Sequence, residues 1–300
     1  WKLIEKYKVS WTELSPALIR SQMNKDKTLF KELNLNSLRI VCTGGEPWTE
    51  KPWRWLFEFI GKSKVPIMNS AGGTEVSGSI LHCCLHRPFK VGSFNAPIPG
   101  MSADIVNLDG KTVSFDEMGE LIMRKSSIGL TKSLWHDDKR YIDNYWSVIK
   151  DLWVHGDLAS RDKDGHWYLH GRSDDTIKVS GKRIGPAELE GSIIRSGKVK
   201  EAAAVGIPDE NKGSKIIIAI VALNKNDPEI KEEYFMDLII KDLGRSFKPD
   251  KIIFVSDLPK TRNMKIMRRV IKTCLTNQDP GDISTLLNPE SVEEIKTHAI

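Results

Sequence analysis

Long apolar runs are absent from this 300-residue sequence. The longest uncharged apolar stretch, Ile216 to Leu223, is far too short to span a bilayer, and the chain does not open with the basic, apolar and small-residue succession of a secretory signal. Cysteine is scarce. Cys42, Cys83, Cys84 and Cys274 lack metal-ligand spacing and are too few for a disulfide framework, so a reducing, cytoplasmic setting is expected. Neither sign of charge dominates: 45 Lys and Arg against 40 Asp and Glu leave a net +5, which suits anionic small molecules but falls short of a nucleic-acid stripe. The expected partners therefore include no membrane and no nucleic acid. What is present is 40% hydrophobic content, enough to bury sizeable cores in two domains.

The chain begins with Trp1, and its first residues already read as a helix running into Val9-Ser10-Trp11, which looks like a beginning in mid-domain. Ser15-Pro16 starts a helix carrying Ala17, Leu18 and Met23, and Leu38 to Val41 is a short apolar strand. Thr49 stands where it would cap a helix with Trp53, Leu56, Phe57 and Ile60 on one face; Gly61 ends it and Val65 to Met68 is the next strand. Strand, crossover helix and strand make a βαβ unit, so residues 1–90 should hold a parallel sheet with ligands at its strand carboxyl ends. Two glycine-rich loops fall there: Thr43-Gly44-Gly45-Glu46-Pro47-Trp48 and Asn69-Ser70-Ala71-Gly72-Gly73-Thr74-Glu75. Each alone reads equally as an ordinary turn. Together they offer backbone N–H groups and the Thr74 hydroxyl to phosphate, and Glu75 as a hard oxygen ligand suited to Mg2+.

Residues 91–170 read as antiparallel strands, a small β-barrel: Ala103 to Val106 and Lys111 to Val113 flank an Asp109-Gly110 turn, Gly119 to Met123 alternates, and Trp153 to Leu169 is a hairpin about Asp164-Gly165. The run from Gly171 to Ile184 then packs four cations, two adjacent carboxylates and two glycines into fourteen residues. Arg172, Lys178, Lys182 and Arg183 are suited to phosphate oxygens and Gly181 to close backbone approach, although a solvated basic loop has the same composition. A compact two-layer α/β domain follows over 173–278. It comprises helix Pro186 to Arg195, strands Ala202 to Gly206 and Lys215 to Leu223, helix Glu229 to Leu243 after a loop from Asn224 to Pro228, strand Ile252 to Val255 and helix Lys265 to Cys274. Residues 279–300 read as a polar tail with a helical stretch near Ser291 to Lys296.

The run Gly171-Arg172-x-Asp174-Asp175-x-Ile177-Lys178-x-x-Gly181-x-Arg183-Ile184 resembles the hinge signature of adenylate-forming enzymes, and its length makes it specific. Other segments fall at that family's places. Gly45-Glu46-Pro47 resembles the segment lining the adenine, and Gly73-Thr74-Glu75 the phosphate and magnesium motif. Asp157, in Trp153-Val154-His155-Gly156-Asp157-Leu158, resembles the aspartate that accepts hydrogen bonds from both ribose hydroxyls, with His155 in place of a small hydroxyl residue. Leu258-Pro259-Lys260-Thr261-Arg262-Asn263-Met264-Lys265 resembles the segment whose lysine, here Lys265, serves adenylation, with Met264 where glycine is usual. The resemblance implies ATP, Mg2+ and coenzyme A as ligands. A carboxylate attacks the α-phosphorus of ATP; the small domain then turns about Asp174, coenzyme A passes Gly181, and Arg172 and Arg183 hold nucleotide phosphate.

Within this family the match is nearest the acetyl-CoA synthetase branch, through Trp135-His136-Asp137-Asp138 and the segment from Trp153 to Asp157. Gly72 stands where acetate-specific relatives carry a pocket-shortening Trp, so a short- or medium-chain acid is expected rather than acetate alone. Ile240 replaces an arginine that some relatives use on the coenzyme A nucleotide, and no carrier-domain serine motif follows the last helix. The family's Ser/Thr/Gly-rich loop ending in Lys has no counterpart in residues 1–300, nor has the first half of the large domain. Two readings stand: an acyl-CoA synthetase half that works with an N-terminal half as partner, and a catalytically silent nucleotide-binding remnant.

Overall fold

The computed structural model describes residues 1–300 apart from 24, 225, 226 and 229, and the chain divides into two units, Trp1–His170 and Gly171–Ile300. In the first, strands β1 (Trp11–Glu13), β2 (Ile40–Thr43) and β3 (Ile67–Asn69) form a parallel sheet in the order β1-β2-β3. Parallel pairing requires crossovers. After α1 (Lys2–Tyr7), these are α2 (Pro16–Met23) with α3 (Thr28–Lys31), then α4 (Glu50–Arg54) running directly into a π-helical turn, Trp55–Ile60. Thr49 takes the N-cap position but its side chain makes no capping bond. The wide turn closes with Gly61 N–H donating to the Leu56 carbonyl at 2.8 Å, and a Cβ at Gly61 would sit 2.8 Å from the Phe57 carbonyl oxygen, so only glycine fits this stop. Ile19, Leu38, Val41, Trp53, Leu56, Ile60 and Ile67 form the core between sheet and crossovers.

The register that sets Thr43 opposite Asn69 puts both glycine-rich loops at one edge. Beyond it, β4 (Ala71–Gly73), β5 (Gly78–His82) and β6 (Ala96–Pro97) make a small antiparallel sheet. A four-stranded sheet in the order β10-β9-β8-β7 follows, from β7 (Ala103–Val106), β8 (Gly119–Met123), β9 (Trp153–Arg161) and β10 (Trp167–Arg172), with α5 (Asp138–Tyr145) between β8 and β9. The barrel expected here does not close among the described residues. Four strands are too few for closure, which takes about five to eight, and the edges meet the surrounding chain only through single bridges, Val106 with Thr112 and Phe94 with Trp167. The strand expected over 111–113 is reduced to that bridge at Thr112. Ile80, Leu81, Leu121, Trp153 and Trp167 join both sheets in one core.

The second unit opens with the hairpin β11 (Ile177–Val179) and β12 (Lys182–Ile184), then α6 (Pro186–Arg195). Its sheet runs β13 (Val199–Asp209), β14 (Gly213–Ala222), β15 (Lys251–Phe254), antiparallel then parallel. Alternation sorts the side chains. Ala202, Ala204, Ile216, Ile218, Ile220 and Ile252 face α6 and α7 (Glu232–Leu243), whereas Ala203, Val205, Ile217, Ala219, Val221 and Ile253 face α8 (Arg268–Leu275) and α9 (Glu290–Lys296). The sheet is therefore covered on both faces, and the segment read as a polar tail supplies Val292 and Ile295 to the second. Helix α7 is described from Glu232; Glu229, where the sequence placed its start, lies outside the described residues, as do Lys225 and Asn226 of the preceding loop. Among the described residues no helix is long and apolar enough to cross a membrane.

Ile295 is fully buried against the sheet. Ile295→Ala is expected to destabilise the chain by about 2–5 kcal/mol, read from the shift in a urea unfolding curve.

Candidate active site

In the first unit, the loop after β2 is fixed from both sides. Ser70 N–H donates to the Thr43 carbonyl at 2.8 Å and Ser70 Oγ to the same oxygen at 3.1 Å, while Trp48 Nε1 donates to Thr43 Oγ1 at 2.6 Å. A Cβ at Gly44 would lie 3.0 Å from the Ser70 carbonyl oxygen, so the two loops pack backbone to backbone. Gly45 has φ +95° and is exposed, a conformation that favours glycine. Glu46 is engaged: Arg20 Nη2 meets both its carboxylate oxygens at 2.9 Å. Of the segment Gly45-Glu46-Pro47, what this loop leaves open is the backbone of Gly45 and Pro47 rather than the Glu46 carboxylate.

The second loop carries Glu75 on a short 3-10 turn, Thr74–Val76, at the end of β4. Its Oε1 accepts from the Tyr145 hydroxyl at 3.0 Å. Tyr145 stacks on Trp153, ring centroids 5.3 Å apart and planes within 5°, and Trp153 lies against His155 at 5.6 Å. His155 Nε2 is 3.2 Å from Asp157 Oδ2. The circuit closes at Gly73, where a Cβ would stand 2.8 Å from Glu75 Oε2 and 3.5 Å from His155 Cε1. Gly73 and Glu75 thus share one cluster with Asp157, more than eighty residues further along the chain. Thr74 begins the same turn. The sequence carried no signal for Tyr145 or Arg20, and it marked His155 only as a neighbour.

No group of three or more His, Cys, Asp or Glu side chains suited to a metal exists among the described residues. A single carboxylate suits Mg2+ brought in on phosphates, since that ion keeps waters and takes one or two protein carboxylates. Glu75 fits this use.

In the second unit, the charged run folds as the β11–β12 hairpin rather than as a loop. Ser180 (φ 49°) and Gly181 (φ 79°) form its turn, the two successive positive φ angles that a tight hairpin demands. A Cβ at Gly181 would meet nothing within 4 Å, so the turn is open outward. Ile177, Val179 and Ile184 are buried, leaving Lys178 and Arg183 as a directly opposed, exposed cation pair. Like charges in that position repel, and a bound anion relieves them. Lys182 is tied to Ser246 Oγ at 2.9 Å. Before the hairpin, Arg172 Nε reaches Asp174 Oδ1 at 3.1 Å, and Thr176 Oγ1 donates to the Arg172 carbonyl at 3.3 Å.

Lys265 does not begin a helix. It ends a closed turn: Met264 N–H donates to the Thr261 carbonyl at 2.8 Å, Thr261 N–H to the Lys265 carbonyl at 2.9 Å, and Lys260 pairs with Ile266 as an antiparallel bridge. Met264 holds φ 65° there, which takes the segment out of helical geometry, and α8 starts at Arg268. Lys265 is exposed, and its ammonium makes no ion pair among the described residues. Beneath it, Lys260 is 2% exposed and its ammonium meets Glu201 and Asp257, each at 2.6 Å. Burial alone would lower the Lys260 pKa, but the hydrogen bonds it donates to both carboxylates, together with their charge, outweigh it and the net shift is upward. Burial likewise pushes the Asp257 carboxyl up, and the Lys260 bond reverses that to a net lowering.

A parallel sheet with glycine-rich turns at its carboxyl edge, followed by a small α/β unit bearing a cationic hairpin and an exposed lysine turn, is an arrangement in keeping with the class of adenylate-forming folds. Comparison with known proteins gives the family. Residues 1–135 match the AMP-binding enzyme model and residues 188–265 the model of the AMP-binding enzyme C-terminal domain, and the chain belongs to this family. It is 37% identical to an acetyl-coenzyme A synthetase of Methanothrix thermoacetophila, over 98% of this chain and 46% of the relative. It is 35% identical to an acetyl-coenzyme A synthetase of Pasteurella multocida, over 99% and 47%. An acetoacetyl-CoA synthetase from Streptomyces lividans shares the fold with TM-score 0.84 over 99% of this chain and 46% of that one, at 21% identity. An anthranilate CoA ligase solved with anthranoyl-AMP superposes at TM-score 0.73 and 27% identity, over 88% and 49%. The chain spans about half the length of the curated relatives it matches.

Two outcomes are expected. The left-handed conformation disfavours a side chain, so Met264→Gly should stabilise the turn by about 1 kcal/mol, seen as slower amide exchange at Thr261 and Met264. A carboxyl held low when folded stabilises fully above its unfolded pKa of about 3.9 and loses that as pH falls; an ammonium held high does so below about 10.4 and loses it as pH rises. Urea unfolding should therefore show Asp257→Asn destabilising the chain at neutral pH, with the gap to the parent shrinking as pH falls below about 4.

Proposed function

We propose that this chain supplies the C-terminal half of an ATP-dependent acid–thiol ligase acting on a short- or medium-chain carboxylate. The observation that carries the reading is the pairing of a Glu75–His155–Asp157 cluster in one unit with an isolated, turn-mounted Lys265 in the other. In the first half-reaction a carboxylate oxygen attacks the α-phosphorus of ATP, the bond to the bridging oxygen breaks, and pyrophosphate leaves. In the second the sulfur of coenzyme A attacks the acyl carbon, the bond to AMP breaks, and the thiol proton is released.

Each residue has a part that its setting supports. Asp157 accepts from the ribose hydroxyls, with His155 at 3.2 Å fixing one carboxylate oxygen. The backbone of Gly45–Pro47 lines the adenine. Gly73 and Thr74 present donors to phosphate, and Glu75 would hold the Mg2+ that accompanies ATP, an ion that would supply charge neutralisation at the phosphates. Lys265 supplies positive charge where the carboxylate and α-phosphate oxygens crowd together. Arg172 and Arg183 hold phosphate, Gly181 leaves room for the thiol arm, and Asp174 is the hinge between the half-reactions.

The acid is larger than acetate alone would require. Gly72 packs so tightly on β5 that a Cβ would run into the Gly78 carbonyl oxygen, so this backbone has no place for the indole of acetate-specific relatives. The partner is the N-terminal half that the relatives possess. Among the described residues strand β1 pairs only with β2, and Leu3 and Tyr7 of α1 and Trp11 of β1 are exposed at 67%, 66% and 53%, a surface fit for an apolar partner.

The test is carboxylate-dependent ATP–pyrophosphate exchange with acids from acetate to octanoate, using the chain alone and mixed with the complementary half of a relative. Exchange in the mixture, strongest for an acid longer than acetate, is the expected result; AMP binding without exchange in either arm favours the silent nucleotide-binding remnant. Lys265→Ala should lower exchange by about 10²–10³-fold and leave acyl transfer from supplied acyl-adenylate nearly unchanged.

A further inference from the structure

The C-terminal segment lies beyond the residues matched by the family's C-terminal model, 188–265. In the structure it is bonded to the base of the Lys265 turn. Asn288 is 7% exposed, and its amide is spent on that base: Oδ1 accepts from Lys260 N–H at 3.0 Å, and Nδ2 donates to the Leu258 carbonyl at 2.8 Å and to Asp257 Oδ2 at 2.9 Å. Leu287 N–H donates to the Lys260 carbonyl at 2.8 Å, and Thr261 forms a bridge with Leu286. Both backbone groups of Lys260 are thus held by the segment, and Lys260 pairs directly across the turn with Ile266, next to Lys265.

The segment is itself anchored on both sides of the turn. Upstream, Glu294 accepts from Ser256 N–H at 2.9 and 3.0 Å. Downstream, Arg269 at the start of α8 donates to the carbonyls of Pro280 and Asp282, and Ile300 N–H donates to the Leu275 carbonyl at 2.9 Å. Val292 and Ile295 lock α9 into the core shared with α8. Only Met264 and its neighbours at the tip stand outside this frame.

We propose that residues 279–300 are a brace that sets the position of Lys265, with Asn288 as its positioning residue. The inference rests on the reading of Lys265 as the adenylating lysine. Charge stabilisation at a reacting centre depends on placement to within about an ångström, and a long flexible side chain on a mobile loop would not meet that demand. A cap that merely covered the sheet would need α9 alone. The hydrogen bonds of Asn288 go to the loop instead.

The test compares the 300-residue chain with Asn288→Ala by backbone hydrogen exchange. Amides of Thr261, Lys265 and Met267 should exchange about tenfold faster, while those of β13–β15 and α6 keep their protection. Ser291→Ala removes the hydroxyl that donates to the Asn288 carbonyl at 2.7 Å; it should give the same pattern more weakly, and it stands in should Asn288→Ala not fold. Unchanged turn amides, or a uniform rise over the whole unit, overturns the brace. With the complementary half present, Asn288→Ala should lower adenylation about tenfold and spare acyl transfer from supplied acyl-adenylate to coenzyme A. Equal loss in both half-reactions reduces Asn288 to a purely structural residue. Absence of adenylation by the unaltered protein defeats the ligase reading alone, and hydrogen exchange then decides the brace by itself.

Discussion

An ammonium buried between two carboxylates is the constraint on which the chemistry of the second unit depends. Lys260, 2% exposed, is tolerable only because Glu201 on β13 and Asp257 after β15 both reach it at 2.6 Å. Glu201 lies on a sheet covered on both faces and Asp257 follows its last strand, so the charge pins the loop to that sheet. Asn288 completes the junction by holding the Lys260 backbone and the free oxygen of Asp257. Lys265 sits five residues on, at the end of the turn that this junction supports. One lysine is sunk while the other stays in water.

The first unit solves a different problem with backbone alone. Parallel pairing of β2 and β3 in the register Thr43 to Asn69 brings two glycine-rich loops side by side; Gly44 lets the first pass close to the Ser70 backbone, and Gly72 lets the second pass close to Gly78 of β5. The chemistry is then added from the antiparallel sheet. β9 carries His155 to Gly73 and Asp157 to His155, and α5 carries Tyr145 to Glu75. A nucleotide site needs such convergence because phosphate, ribose and metal call for donors, acceptors and a carboxylate that no single element supplies.

Much of this was legible in the sequence. Apolar spacing gave α2 and α6 close to their observed bounds, and the Asp164-Gly165 turn marked the β9–β10 hairpin. Legibility failed where long-range bonds override local pattern. The basic run at 265–274 reads as one helix until Met264 adopts φ 65° and the closing bonds of the turn delay α8 to Arg268. The charged run at 171–184 reads as a loop because its buried face is only Ile177, Val179 and Ile184. Polarity concealed the role of residues 279–300, whose Val292 and Ile295 are few but fully used. Arg20, Tyr145 and Asn288 act on partners more than twenty residues away, which no local pattern records.

The most direct measurement is calorimetric titration of the chain, paired with the complementary half of a relative, with a non-hydrolysable acyl-adenylate analogue. The account predicts one saturable site per pair whose affinity collapses in Asp157→Ala. No binding, or binding indifferent to Asp157, would contradict it.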